Sequence, residues 1–222
     1  VGQAFPGVRI RLAANGEILA AGDGVMRGYH ADPLATAAAI DAAGWLHTGD
    51  LGRMDEEGYL TITGRMKELF KTANGKYVAP VPIEQALVAA SQESGCLFDQ
   101  AMVIAEGRPC VSALLFPDGE ALRRRKQAHG CDRLSDGDFL ARSDIATTVL
   151  SEIDQVVIKV NAGLDQWMQV RHWRLVPAPP TVDRDELTPT MKLRRHVLMQ
   201  RYQVLIDEMY AQRLRPTGGD HG

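Results

Sequence analysis

The sequence predicts an α+β protein, because short strand patterns dominate its first 64 residues and a mixture of strands and helices follows. Apolar residues alternate at a period of two in the strand patterns and recur at spacings of three and four in the longest helix pattern. The chain has 222 residues, of which 45% are hydrophobic and 24% are charged, and this is the composition of a globular protein. A chain of this length can bury a core without disulfides.

Charge and cysteine content exclude several classes of protein. The 25 basic and 28 acidic side chains give a net charge of −3, whereas a dedicated nucleic-acid binder usually has a large basic excess. Cys96, Cys110 and Cys131 are too few for a disulfide framework and lack metal-ligand spacing, which favours a reduced, cytoplasmic setting. The histidines lack ligand spacing as well, so no metal site is predicted. No apolar run approaches the roughly 18 residues that would cross a bilayer.

The first segment is predicted to contain a hairpin, a helix and a further strand. Residues 8–12 alternate, Asn15-Gly16 makes a turn, and the alternation resumes over residues 17–20. Asp32 and the proline after it predict the start of a helix over residues 34–43 that ends before Gly44. A strand is predicted at residues 59–63. One helix cannot cover both faces of these strands, so we expect residues 1–64 to pack on something else.

The elements after Gly64 are predicted from turn residues and periodicity. In chain order they are paired strands at 67–72 and 76–79 around Asn74-Gly75, a helix at 83–91 opened by Pro80 and Pro82, strands at 100–105 and 110–116, a charged helix at 118–129, a loop at 130–137, a helix at 144–164, a strand at 171–176 and a last helix from about residue 193. The helix at 144–164 has the clearest apolar stripe. Its members are Ile145, Val149, Ile153, Val156, Val160 and Leu164. The tail after Arg215 is expected to be disordered.

The first candidate site is Trp45-Leu46-His47-Thr48-Gly49-Asp50. A carboxylate behind a Thr-Gly turn can accept two hydrogen bonds from a vicinal diol such as a ribose. The alternative is that Asp50 caps its own turn.

The second candidate site is the segment from Gly64 to Lys76, which holds four cations and interrupting glycines. The planar guanidinium of Arg65 suits a carboxylate, a phosphate or a ribose edge. The alternative is a solvated strand whose lysines face water.

The third candidate site is Leu187-Thr188-Pro189-Thr190-Met191-Lys192-Leu193-Arg194-Arg195. Cations at a helix start oppose the helix dipole at a cost of about 0.3–1 kcal/mol each, which favours a bound anion. The alternative is that Arg194 and Arg195 reach solvent or pair with Asp183, Asp185 or Glu186, all close upstream. A further basic run at 123–126 is interpreted as a solvated face, with contact to anionic lipid or ligand phosphates as the alternative.

Taken in order, these segments resemble the adenylate-forming acyl-CoA synthetase superfamily of AMP-binding enzymes. The matching segments are Val25-Met26-Arg27-Gly28-Tyr29, Gly44 to Gly52, Asp55 to Tyr59, Gly64 to Leu69, Gly75-Lys76, Pro82-Ile83-Glu84 and Leu187 to Arg195. The length of residues 96–175 and the ending Leu-Thr-Pro-Thr-Met-Lys resemble the long-chain fatty acyl-CoA synthetase branch.

The resemblance implies a fold and a domain organisation. Residues 1–66 would be the end of the large AMP-binding domain, in a β-barrel-like subdomain. Residues 67–222 would be the mobile C-terminal domain, with a short antiparallel sheet flanked by helices and a helical insertion at about 118–164. Because the sequence starts at Val1 within a strand-rich segment, we expect a fragment of a longer protein.

The resemblance also implies a reaction in two steps, acyl adenylation with ATP and then transfer to coenzyme A. Asp50 and Arg65 would bind the ribose, and Ile62 would line the nucleotide pocket. Lys192 would be the catalytic lysine that meets the carboxylate and the α-phosphate.

Three further roles follow from the same resemblance. Lys67 would be the hinge between the domains, and Lys71 and Gly75 would lie on the face used for coenzyme A and thioester formation. The substrate would be a fatty acid, the cofactors would be ATP/AMP, Mg²⁺ and coenzyme A, and the partner would be the upstream large domain. Nucleic acid is not expected, and peripheral membrane contact is left open.

The phosphate-binding Ser/Thr/Gly-rich loop, the adenine-contacting aromatic motif and the magnesium-holding glutamate of the superfamily lie upstream of these motifs, as does the acyl pocket. We therefore expect these 222 residues to be inactive alone. Two alternatives remain: part of an acyl-AMP ligase or acyl-carrier-protein synthetase, and a non-catalytic interaction module.

Overall fold

A computed structural model describes residues 2–211 of the chain, which divides into two compact units, Val1–Phe70 and Lys71–Gly222. The predicted disorder after Arg215 lies outside the described residues. The α+β class is confirmed, since an antiparallel sheet in the first unit and a sheet with one antiparallel and one parallel pair in the second occur together with helices. The predicted boundary between residues 66 and 67 stays a prediction.

The first unit is a four-stranded antiparallel sheet in the order β1-β2-β3-β4. Its strands are β1 (Val8–Leu12), β2 (Glu17–Gly22), β3 (Leu46–Met54) and β4 (Leu60–Arg65). The predicted hairpin is confirmed, because β1 pairs with β2 and Gly16 takes the left-handed φ of +83° that the turn requires. This sheet is a meander, and the barrel-like character predicted for the segment stays a prediction.

The helix of the first unit, α1 (Pro33–Ala39), ends four residues earlier than predicted. Its start is as predicted, with the Asp32 carboxylate accepting a hydrogen bond from Ala35 N at 2.9 Å. Ile40 is extended and forms a bridge to Leu46, while Asp41 Oδ1 accepts hydrogen bonds from the backbone N–H groups of Ala43 and Trp45. The Asp41 side chain thus offers the backbone a turn that competes with the helix.

The second unit is built on a three-stranded sheet in the order β7-β8-β9. Its elements, with β5 at the division between the units, are β5 (Phe70–Lys71), β6 (Tyr77–Val78), α2 (Pro80–Ser94), β7 (Phe98–Ile104), β8 (Val111–Pro117), α3 (Gly119–Ala128), α4 (Asp136–Leu140), α5 (Ser143–Asn161), β9 (Val170–Leu175), α6 (Arg195–Arg201) and α7 (Gln203–Ala211). β8 is antiparallel to β7 and parallel to β9. β8 lies at the centre of the sheet and all its residues are buried.

The core of the second unit lies on both faces of this sheet. On one face, side chains of β7 and β8 pack with residues from α6 and α7, in a cluster of Met102, Ile104, Leu114, Phe116, Val176, Leu198, Ile206 and Met209. On the other side, α2 packs against β7 and α5. The predicted apolar stripe of α5 is buried from Ile145 to Val160, and Leu164 lies beyond its end.

Three other predicted elements differ from the structure. The strand predicted at 67–72 begins as a 3₁₀ turn, Met66–Glu68, and only Phe70–Lys71 is extended. The loop predicted at 130–137 contains the start of α4, because Ser135 caps it by accepting a hydrogen bond from Asp138 N. The single helix predicted from residue 193 is broken at Tyr202 into α6 and α7.

Tyr210 fastens α7 to the sheet. Its hydroxyl donates to the carbonyl oxygens of Ile104 at 3.0 Å and Cys110 at 3.1 Å. Burial raises the pKa of Tyr210 from 10.0 to about 12, since the phenolate would lose its hydration. The native protein therefore holds a proton that the unfolded chain releases above pH 10.

This difference predicts a loss of stability in alkali. The contribution of Tyr210 is complete below its unfolded pKa of about 10 and is lost as the pH rises towards 12. Urea unfolding at pH 9, 10 and 11 should show a steeper fall in the free energy of unfolding for the wild type than for Tyr210→Phe. Tyr77→Phe, at an exposed tyrosine, is the control and should follow the wild type. Equal slopes for the wild type and Tyr210→Phe would contradict the assignment.

Candidate functional site

Asp50 and Arg65 form an ion pair in the first unit. They lie directly opposite each other on β3 and β4, and Arg65 Nε is 2.9 Å from Asp50 Oδ1. The Arg65 side chain is 66% exposed and that of Asp50 27%, so the pair adds about 0–1 kcal/mol at most to stability. Among the described residues we find no partner for Asp50 Oδ2, and the carboxylate does not cap its own turn. The two side chains therefore lie side by side. Asp50 can still accept hydrogen bonds, and Arg65 can still donate them.

A β-bulge brings Ile62 to the same face as this pair. The register shifts between Leu51 and Gly52, so that Gly52 lies opposite Ile62 instead of Thr63. Directly opposite residues share a face, and so do residues two apart on one strand, which puts Asp50, Gly52, Arg65 and Ile62 together. Ile62 is 48% exposed. The face thus combines an ion pair with an open apolar side chain.

Glu17 holds the turn that carries Asp50, and sequence reasoning missed it. It is buried, with 6% exposure, and its carboxylate accepts hydrogen bonds from Gly49 N at 3.0 Å and lies 2.9 Å from His47 Nδ1. Thr48 completes the turn, donating from its hydroxyl to Ile18 O and accepting from Asp50 N. Only the pairing of β2 with β3 brings residue 17 to residue 49, and no local spacing signals that pairing.

The turn from Thr72 to Lys76 lies in the second unit. The buried Thr72 hydroxyl accepts from Lys76 N at 3.1 Å, and Thr72 N donates to Lys76 O at 2.9 Å. Gly75 has a left-handed φ of +76°, and a Cβ built there would meet nothing within 4 Å. Glycine is therefore favoured by its backbone conformation, and the space beside it is open.

Lys67 and Lys71, which precede this turn in the sequence, are both exposed. Lys71 has its backbone fixed to Glu106 and Gly107, while its ammonium lies 5.8 Å from the centre of the Tyr77 ring. Lys67 lies in the 3₁₀ turn that follows β4. Neither ammonium has an ion pair among the described residues.

Lys192 lies on a loop that we call the lysine loop, residues 187–193, closed by an antiparallel bridge between Leu187 and Leu193. Thr188 holds the loop, because its hydroxyl accepts from Lys192 N at 3.1 Å and its own N–H donates to Lys192 O at 2.8 Å. Met191 takes a left-handed φ of +61° at the bend. Lys192 is exposed, and its ammonium has no hydrogen bond or ion pair within residues 2–211.

The arginines after Lys192 are paired within the chain. Arg194 forms an ion pair with Asp185 at 2.9 Å, which confirms the upstream-carboxylate alternative for this residue. Arg195 binds Glu84 and the carbonyl of Val103. Carboxylates of the chain already compensate these two cations, and the interpretation of an anion-binding helix start stays a prediction. Lys192 alone of the three cations keeps an unpartnered charge among the described residues.

The basic run at 123–126 is partly paired. Arg125 binds Glu152 at 2.8 Å and Lys126 binds Asp136 at 2.9 Å, whereas Arg123 and Arg124 are exposed. Within residues 2–211 no group of three or more His, Cys, Asp or Glu side chains could hold a metal ion. In the same range no helix is both long enough and apolar enough to cross a membrane.

A model of the family described as "AMP-binding enzyme C-terminal domain" matches residues 68–214. The chain is 38% identical over 211 residues to the long-chain-fatty-acid–CoA ligase FadD15 of Mycobacterium tuberculosis, covering 95% of this chain and 34% of that protein. It is 36% identical over 197 residues to the long-chain-fatty-acid–CoA ligase 1 of Cavia porcellus, covering 88% and 27%. The chain thus spans about a third or less of the length of these relatives.

Among solved structures, the adenylation domain of a carboxylate reductase from Mycobacterium chelonae is similar to this chain. The TM-score is 0.59 and the sequence identity 25%, over 88% of this chain and 28% of that chain.

The close packing around Gly52, on the same sheet face as Asp50, predicts that adding a side chain at Gly52 destabilises the protein. A Cβ there would lie 2.8 Å from the buried Ile18 side chain and 3.0 Å from Thr61 O. Gly52→Ala should lower the free energy of unfolding by about 1–3 kcal/mol, as overpacking does, and speed hydrogen exchange in β3 and β4. Gly24→Ala, where a Cβ meets nothing within 4 Å, is the control. Equal effects of the two substitutions would refute the steric explanation.

Proposed function

Because the chain belongs to the AMP-binding enzyme C-terminal domain family, we propose that it carries the C-terminal part of an AMP-forming long-chain fatty acid–CoA ligase. The names of the relatives at 36–38% identity support this substrate class. The observation that carries the proposal is the Asp50–Arg65 pair on an open sheet face with Ile62.

The nucleotide is proposed to bind through this face. Asp50 Oδ2 accepts a hydrogen bond from a ribose hydroxyl, and Arg65 donates to the same sugar while keeping its ion pair to Oδ1. Ile62 gives the pocket an apolar wall. The pairing fixes the orientation of both polar groups before the ligand arrives, which reduces the ordering cost of binding.

The reaction that we propose has two displacements. An oxygen of the fatty carboxylate attacks the α-phosphorus of ATP, forming acyl-AMP and releasing pyrophosphate. The thiol sulfur of coenzyme A then attacks the acyl carbon, forming the thioester and releasing AMP, while the thiol proton leaves to solvent. ATP, AMP and coenzyme A are thus the proposed cofactors.

Lys192 is proposed to act in the first displacement. Two anions must meet there, and negative charge builds on the phosphate oxygens. An ammonium without an ion pair among the described residues can neutralise this charge, and removing such a group typically costs about 10²–10³ in rate. The exposed position of Lys192 on the lysine loop supports this role.

The domain roles are proposed as follows. Residues 1–66 end the large domain and residues 67–222 form the mobile C-terminal domain, with Lys67 as its hinge. Its place in a single 3₁₀ turn, three residues before the end of the first compact unit, supports that role. Lys71 and Gly75 are proposed to face coenzyme A, with the open space beside Gly75 admitting the pantetheine arm.

Magnesium is proposed to neutralise the pyrophosphate leaving group from ligands in the rest of the protein. Within residues 2–211 no cluster of three or more His, Cys, Asp or Glu side chains fits the ion. A cytoplasmic setting is supported by the three free cysteines. Burial raises the pKa of Cys96 and of Cys110, which keeps these thiols protonated and unreactive.

The role of Lys192 predicts a split between the two half-reactions. In the complete ligase, Lys192→Ala should reduce ATP–pyrophosphate exchange by about 10²–10³-fold. Thioester formation from synthetic acyl-AMP should stay within a few-fold of the wild type. Lys159→Ala, which removes an exposed lysine paired with Glu93, is the control. Equal loss of both half-reactions would contradict the role.

A second prediction concerns the 222-residue chain by itself. It should give no ATP–pyrophosphate exchange with palmitate, because its sequence contains no Ser/Thr/Gly-rich phosphate loop. The complete ligase, assayed in parallel, should exchange. Exchange by the 222-residue chain above the no-enzyme background would refute the proposal that adenylation needs a phosphate loop outside this chain.

A further inference from the structure

We propose that Glu186 is a positioning residue that fixes the lysine loop and thereby places Lys192 for adenylation. The inference rests on the proposed function, in which Lys192 acts on the reacting oxyanions. Glu186 is a buried carboxylate that does not contact Lys192. It acts on Lys192 through the backbone of the lysine loop.

The first step is the burial of Glu186. It has no exposed surface, and a carboxylate without solvent must find donors within the protein. Its Oε2 accepts from Arg184 Nε at 2.9 Å and from Thr181 N at 3.1 Å. Its Oε1 accepts from Arg201 Nη1 at 2.9 Å and from the Tyr202 hydroxyl at 3.4 Å. Two guanidinium groups and two neutral donors therefore surround one charge.

The second step concerns the two segments of the chain that supply these donors. Thr181 and Arg184 lie in the turn segment before the lysine loop, whereas Arg201 and Tyr202 lie at the end of α6. Glu186 itself immediately precedes the loop. One carboxylate thus joins the segment that enters the loop to the helix that leaves it.

The third step is the backbone of Glu186. Its carbonyl accepts from Arg194 N at 2.8 Å, directly after the loop, and the next pairing inward is the Leu187–Leu193 bridge. Leu187 is buried at 2% exposure, while Met191 and Lys192 are exposed. Both ends of the lysine loop are therefore fastened at Glu186, and the exposed part of the loop projects from that base.

A lysine side chain is long and flexible, so the position of its ammonium depends on how firmly its backbone is held. Displacing a reacting group by about 1 Å can cost on the order of 10²-fold in rate. Glu186→Gln removes the negative charge and replaces one acceptor oxygen by an NH2 group, so Arg184 and Arg201 lose part of their shared acceptor and both ends of the loop loosen. The loss should therefore appear in the step that uses Lys192.

The test uses the complete ligase carrying this chain. Glu186→Gln should lower kcat for ATP–pyrophosphate exchange by about 10–100-fold and change thioester formation from synthetic acyl-AMP by less than about 2-fold. Glu208→Gln, at an exposed glutamate of α7, is the matched control and should change neither. Equal losses in both half-reactions would mean that Glu186 only stabilises the fold, and would overturn the inference.

A double-substitution experiment separates positioning from general stability. In a Lys192→Ala background the ammonium is gone, so Glu186→Gln should cost less than about 2-fold in exchange. The same loss in both backgrounds would overturn the inference. If Lys192→Ala alone leaves exchange intact, the proposed function of Lys192 fails instead, whatever Glu186→Gln does.

Hydrogen exchange on the 222-residue chain gives an independent readout. In Glu186→Gln the amides of residues 187–194 should exchange at least 10-fold faster, with β7 and β8 unchanged. If that variant does not fold, Arg201→Gln removes one donor from the same carboxylate and should produce the same pattern more weakly. Unchanged exchange at residues 187–194 in a folded variant would overturn the inference.

Discussion

Burying a polar side chain without a hydrogen-bond partner costs free energy, and this constraint shapes three of the proposed functional turns. Among residues 2–211 the buried polar side chains are Glu17, Thr72, Ser91, Ser112 and Glu186. Three of them hold a turn with a proposed functional residue: Glu17 holds that of Asp50, Thr72 that of Gly75, and Glu186 that of Lys192. The backbone positions of these three functional residues therefore depend on hydrogen bonds made by buried residues.

This arrangement separates chemistry from positioning. Gly75 and Lys192 are open to solvent and can meet ligands, while Thr72 and Glu186, whose hydrogen bonds hold their turns, are buried. Hydrogen bonds to a buried charged group contribute about 1.5–3 kcal/mol each, more than the exposed Asp50–Arg65 pair can. Stability and function therefore depend on different residues within the same turns.

The sequence predicted the parts of this arrangement that are local. The hairpin at Asn15-Gly16 and the α5 stripe follow from turn chemistry and periodicity, and the motif order predicted the family. Glu17 and Glu186 were missed as anchors because their partners come from strand pairing and from α6, which no spacing reveals. The early end of α1 depends on Asp41, whose competing hydrogen bonds outweigh a helical pattern that looked continuous. Roles proposed from the family match stay predictions.

The central claim is that Lys192 supplies positive charge to the adenylation step while Asp50 holds the nucleotide sugar. The most direct measurement is a crystal structure of the complete ligase with a fatty acid and a non-hydrolysable ATP analogue. The account predicts Lys192 Nζ at about 2.7–2.9 Å from an α-phosphate oxygen, with the ribose hydroxyls on Asp50. A bound nucleotide whose ribose does not contact Asp50, with the α-phosphate compensated by other cations and Lys192 remote, would contradict it.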